Sequence, residues 1–163
     1  MTENILVPLD GSKVGEAALP VLENLLVKRK PEEMPEVTLL GVVTLLTHWV
    51  VVGEASAPIS YTDEELKGIE GRVRKYLNQA AETLRSTGIT VHTKVHTGNA
   101  AEEIIKAAEE IKADMIAMST HGRSGLRKLA FGSVTAKVLR NAGVPVLMVR
   151  AAEGTDNVIA DSN

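Results

Sequence analysis

Residues 119–133 read Ser-Thr-His-Gly-Arg-Ser-Gly-Leu-Arg-Lys-Leu-Ala-Phe-Gly-Ser. Gly122 and Gly125 let main-chain N–H groups come close to a ligand, because no Cβ stands in the way. Gly132-Ser133 opens a helix, whose free N–H groups and dipole favour an anion. Arg123, Arg127 and Lys128 gather positive charge in a chain of net charge -3. The pattern suits a phosphate cradle. The competing reading is a turn shaped by glycine and followed by a helix cap. Neither G-x-x-x-x-G-K-[ST] nor G-x-G-x-x-G is present.

A second cluster, Pro8-Leu9-Asp10-Gly11-Ser12, combines a carboxylate with turn residues. Asp10 precedes a helix start, where its charge is favoured, and it is also a candidate handle on a ligand. Ser12 reads as a helix cap rather than a nucleophile. His121 lies in the glycine loop and could exchange protons near a phosphate. With no partner carboxylate identifiable, a positioning or solvent role is favoured. His92 and His96 fall on an alternating Val/Thr segment. Four strand residues span about 13 Å, too far for one metal ion, so a solvated strand face is expected.

These clusters need elements to hold them. Asn4–Pro8 is a short strand whose continuous Ile5, Leu6 and Val7 suit burial on both faces. A helix capped by Ser12 is predicted to about Val27, with Pro20 kinking it. Val37–Thr44 is a second strand. Leu45–Tyr61 reads as irregular, because of Gly53 and Pro58. Around Trp49 it could serve as a lid or pack on a partner chain. Thr62 with Glu65 forms a capping box for a helix ending before Gly88. Residues 89–97 alternate as a half-exposed strand. Asn99, with Glu102, caps a third helix bearing Ile104, Ile105, Ala108 and Ile111. Asp114–Met118 is a fourth strand, Ser133 opens a fourth helix, and Val144–Val149 is a fifth strand.

Strict alternation of strands and helices predicts an α/β fold: an open five-stranded parallel sheet with helices on both faces. If strand one is central, with strands two and three on one side and four and five on the other, order reverses between strands one and four. Ligands of such sheets bind beyond the carboxyl ends at that point. The two clusters above then converge.

Other classes fall away on composition. The chain has 163 residues, enough for one domain, over 1–150, with a polar tail at 151–163 expected to be disordered. It has no cysteine, so disulfides, thiolate metal sites and cysteine nucleophiles are excluded. Eighteen basic against 21 acidic residues leave no broad basic footprint for nucleic acid. Aromatic content of 2% gives no stacking platform. The start lacks a signal-peptide pattern, and no apolar run approaches the roughly 20 residues of a membrane helix. A cytoplasmic location without membrane or nucleic-acid partners is expected.

At the glycine loop the chain resembles the universal stress protein family. ATP-binding members carry G-x-x-G, nine residues, then G-[ST]; here Gly122 is followed by residues 123–131 and Gly132-Ser133. Ile-Leu-Val-Pro-Leu-Asp-Gly-Ser at the start, Ser-Val-Thr after Gly132 and Val-Pro-Val-Leu-Met-Val near the end match too. Ser119 stands where the family has the first glycine. The resemblance implies the Rossmann-like, adenine nucleotide alpha hydrolase-like fold and an ATP site, with Mg²⁺ arriving on the nucleotide. It implies that Pro8, Leu9 and Asp10 line the adenosine pocket and that Val42 lies beside adenine. Met118, Ser119 and Gly122 would form the turn under ribose and phosphates. Gly132, Ser133, Val134 and Thr135 would meet the phosphates. His121, Arg123 and Gly125, read from the chemistry of the loop itself, join them as candidate binding residues.

Val144, Val146, Leu147, Met148 and Val149 form an apolar last strand. An unpaired edge of this kind favours a two-fold dimer through it, as the resemblance also implies. The expectation is a dimeric, nucleotide-binding stress-response protein with at most slow ATP hydrolysis, since no base for attack on the γ-phosphate is evident. The alternatives are a nucleotide-free interaction module, favoured by Ser119, and a phosphohydrolase.

Overall fold

The computed structural model describes residues 3–45, 48–52, 55–59, 61–120 and 132–151. In chain order the elements are β1 (Asn4–Leu9), α1 (Ala18–Leu26), β2 (Glu36–Val43), β3 (His48–Val52) and β4 (Ala55–Ile59). There follow α2 (Asp63–Ser86), β5 (Val91–Thr97), α3 (Ala100–Glu110), β6 (Met115–Thr120), α4 (Ser133–Asn141) and β7 (Val146–Arg150). Five strands form one parallel sheet in the order β5-β2-β1-β6-β7. This is the predicted order, with β1 central.

Strand alternation sends alternate residues to opposite helical layers. Ile5, Val7 and Leu9 of β1 join Val37, Leu39 and Ala117 against α1 and α2. Leu6, Leu40, Ile116 and Met118 pack against α3 and α4. Ile5, Leu6 and Val7 are each at most 1% exposed. Such burial contributes about 1.5–3 kcal/mol per side chain. The helix α2 lies close against β2. A Cβ added at Gly41 would sit 2.4 Å from Val73 Cγ1, so glycine sets that approach.

The caps explain the helix starts. Thr62 Oγ1 accepts from the Glu65 N–H, and Glu65 Oε2 accepts from the Thr62 N–H, completing the predicted box. The Thr62 N–H and hydroxyl hold the Glu65 carboxyl below its usual range. Asn99 Oδ1 accepts from the Glu102 N–H, but the Glu102 carboxylate pairs with Lys137 instead of closing a box.

Three expectations are corrected. The first helix does not begin at Ser12: a 3-10 turn, Gly15–Ala17, precedes α1. Pro20 therefore falls in the first turn of α1, where its missing N–H has no partner to lose. On α1, Leu19, Leu22 and Leu26 face the core, while Val21 and Leu25 are 38% and 50% exposed. Part of the irregular segment 45–61 is a hairpin, with β3 antiparallel to β4 and Trp49 paired with Pro58. Proline is tolerated on a two-stranded ribbon because one side of each strand needs no donor. His96 is not solvated. Its ring is 15% exposed, with Nδ1 2.9 Å from Glu103 and Nε2 3.5 Å from Glu110. His92 keeps an open position, 55% exposed, beside Glu36.

No helix among the described residues is long and apolar enough to cross a membrane. The predicted tail lies outside the described residues, apart from Ala151.

Candidate functional site

The site begins where β1 and β6 part. Their pairing runs through Ile5 with Met115 and Leu6 with Ile116, then stops. By contrast, β1 pairs with β2 along its whole length, to Leu9 with Gly41. The carboxyl halves of β1 and β6 therefore flank a crevice at the reversal point of the sheet, where open parallel sheets bind ligands.

Asp10 stands at the mouth of this crevice, exposed. Its Oδ1 accepts from the Ser12 N–H at 2.9 Å and from the Ser12 hydroxyl at 2.6 Å. Ser12 Oγ accepts in turn from the Gly15 N–H at 2.9 Å. Gly11 adopts φ +83, a left-handed conformation natural to glycine, and this carries the chain round the carboxylate. Gly15 is needed for a different reason: a Cβ there would lie 2.4 Å from Asp10 Oδ1. One carboxylate oxygen is thus pinned by Ser12. The other has no hydrogen-bond partner among the described residues.

Across the crevice, β6 ends in Met118, buried against α3 and α4, and in Ser119. The Ser119 hydroxyl donates to the Gly15 carbonyl at 2.9 Å and accepts from the Ala18 N–H at 2.8 Å. Its proton goes to one main-chain group and a lone pair to another. It supplies the cap that Ala17, at the start of α1, lacks. This stitch joins residues more than a hundred positions apart, and no local sequence signal carries it.

Gly132 precedes α4 with extended backbone and no side-chain cap. The first-turn N–H groups of Ser133, Val134 and Thr135 have no intrahelical acceptors. Among the described residues, a Cβ added at Gly132 meets nothing within 4 Å. Ser133 and Val134 are exposed, while Thr135 is buried. Val42, at the end of β2, is half-buried and packs on the α3–α4 side. His121, Gly122, Arg123 and Gly125 lie outside the described residues, as do Arg127 and Lys128. The described site therefore consists of Pro8, Leu9, Asp10, Val42, Met118 and Ser119, with Gly132–Thr135 on α4.

Sequence reasoning also missed Tyr76. It projects from α2 to the Asp10 loop, its hydroxyl buried, and burial followed by the charges of Glu16 and Asp10 pushes its ionisation upward. Its position in the helix offered a signal: it lies on the stripe between Val73 and Leu77.

A cavity of about 230 Å³ lies at the opposite end of the sheet, lined by Ile105, Ala108, Ile116, Ala142 and Val144. Glu109 and Lys112 are its only charged lining, so it offers little to bind a polyanion. No cluster of three or more metal-ligating side chains exists among the described residues.

The sequence matches the universal stress protein family over residues 1–150. Universal stress protein MJ0531 of Methanocaldococcus jannaschii is 32% identical over 148 residues, 91% of this chain and 82% of its own length. The solved structure of MJ0577, from the same organism, superposes with a TM-score of 0.68 at 26% identity. That superposition covers 94% of this chain and 99% of the other. A universal stress protein from Archaeoglobus fulgidus, solved in complex with dAMP, shares the fold. Its TM-score is 0.57 at 18% identity, over 91% of this chain and 97% of the other. The reversal-point crevice, the strand order and the sequence match over residues 1–150 agree, and the chain belongs to the universal stress protein family.

Proposed function

We propose that the protein binds an adenine nucleotide, ATP with its Mg²⁺, in the crevice between β1 and β6. The observation that carries this is the Asp10 carboxylate at the crevice mouth: one oxygen is fixed by Ser12, and the other has no partner among the described residues. An oriented acceptor suits the hydroxyls or amino group of a nucleoside. The glycine at position 132 and the uncapped start of α4 suit the phosphates. The complex of the A. fulgidus relative with dAMP supports an adenine nucleotide in this fold. Pro8, Leu9 and Val42 would flank the base. Met118, Ser119, His121 and Gly122 would line the ribose side, and Arg123, Gly125 and Gly132–Thr135 the phosphates. The tests are mass spectrometry of the purified protein for a co-purifying nucleotide, and a thermal shift. ATP·Mg²⁺ at 100 times its dissociation constant should add about 2.7 kcal/mol of stability. No shift with any adenine nucleotide overturns the reading in favour of a nucleotide-free module.

The protein acts as a binder in a stress response, in the cytoplasm, rather than as an efficient enzyme. The sequence offers no evident base for attack on a γ-phosphate. Phosphate release that is fast in wild type and lost in His121→Ala would instead make it a phosphohydrolase.

A homodimer forms through β7. The Ile116 N–H donates to Pro145 O and the Ala151 N–H to Thr120 O. Strand parity then turns the N–H and C=O groups of Val146, Met148 and Arg150 to the free edge. Of the other residues expected at this contact, Val144 precedes β7, and Leu147 and Val149 pack on the core of their own chain.

A further inference from the structure

The Ser119 hydroxyl and the Asp10 carboxylate are ends of one polar chain. Ser119 Oγ holds the Gly15 carbonyl at 2.9 Å. The Gly15 N–H donates to Ser12 Oγ at 2.9 Å, and the Ser12 hydroxyl donates to Asp10 Oδ1 at 2.6 Å. Glycine at position 15 leaves room for the carboxylate, since a Cβ there would stand 2.4 Å from Oδ1. Moving Gly15 therefore moves the carboxylate through Ser12. The second anchor of Ser119, the Ala18 N–H at 2.8 Å, fixes the same 3-10 turn to the start of α1.

We propose that Ser119 is a positioning residue for the nucleoside half of the ligand, acting through Gly15 and Ser12 on Asp10. The inference rests on the nucleotide reading above. Ser119 does not donate to the ligand, because its one proton goes to the Gly15 carbonyl and one of its two lone pairs takes the Ala18 N–H. Its side chain instead holds the two walls of the crevice, β6 and the loop after β1, at a set distance. The phosphate half, built on α4, is not part of this chain of hydrogen bonds. Ser119 thus governs affinity for the nucleoside and leaves affinity for the polyphosphate untouched.

The experiment is an NMR titration of the full chain with adenosine and, separately, with inorganic tripolyphosphate. Wild type, Ser119→Ala, Ser119→Thr and Ser12→Ala are compared, with far-UV dichroism checking the fold. Ser119→Ala should weaken adenosine about tenfold, the scale of one lost orienting hydrogen bond, and leave tripolyphosphate unchanged. Ser119→Thr, which keeps a hydroxyl, should restore adenosine binding. Ser12→Ala cuts the same chain from the other end and should repeat the adenosine-only loss, even if Ser119→Ala does not fold. Equal adenosine affinity in wild type and in the folded Ser119 and Ser12 variants overturns the inference alone. So does a parallel loss of both ligands, which marks a general structural role. Wild type binding neither ligand overturns the nucleotide reading, and the inference with it.

Discussion

The hydroxyl of Tyr76, on α2, is buried against the carboxylate of Glu16 without a well-aligned hydrogen bond to it. An unpaired buried donor costs about 1–3 kcal/mol, so this contact does not stabilise the fold at neutral pH. Burial, followed by the charges of Glu16 and Asp10, raises the phenol above its usual 10.0. The folded state therefore holds the proton more tightly than the unfolded chain. Stability is complete below about pH 10 and falls as pH rises from there towards the folded-state value. Tyr76→Phe should remove that dependence and match or exceed wild-type stability at pH 7. Thermal melts from about pH 9 to 11 check this. Identical slopes in the two proteins would place the hydroxyl in water.

Gly41→Ala should cost about 1–3 kcal/mol, because its Cβ would overlap the β-branched Val73. The urea midpoint reads the change. An unaltered midpoint would mean that α2 can back away from β2 at no cost.

Gly132→Val should lower ATP affinity at least tenfold, about 1.4 kcal/mol, with unchanged far-UV dichroism. The added side chain meets none of the described residues, so the fold should tolerate it while phosphate room is lost. Calorimetry with ATP·Mg²⁺ decides. Wild-type affinity in this variant would place the phosphates elsewhere.

Met148→Pro should give a monomer by light scattering. It removes an N–H that faces the free edge, while the groups bonded to β6 belong to Leu147 and Val149. Leu147→Lys is a less selective probe, because Leu147 also serves its own core. A dimer that survives Met148→Pro would assemble through another surface.

Periodicity and local caps made most of the fold legible. The continuous Ile5-Leu6-Val7 run marked a doubly covered central strand, and Thr62 with Glu65 marked the start of α2. Both signals are contained within a few residues. The start of α1 was misread because Ser12 has the chemistry of a helix cap yet spends it on Asp10 and Gly15. The true cap of Ala18 comes from Ser119, on another strand. The β3–β4 hairpin was missed because Gly53 and Pro58 suppress strand propensity, which a two-stranded ribbon can tolerate. His96 looked solvated because alternation along β5 says nothing of the two glutamates that α3 brings over it. Asp10 was legible as a candidate handle, but the orientation of its carboxylate depends on Gly15 and Ser119, which only tertiary contact reveals.

The stitch from Ser119 to Gly15 and Ala18 binds three positions into one heritable unit. A lineage that replaces the serine by glycine must supply the Ala18 amide with another acceptor, most simply a Ser or Asp at position 16, two residues upstream. Comparing positions 16 and 119 across descendants should reveal paired exchange. Independent drift at the two sites would show the helix start to be satisfied by water alone.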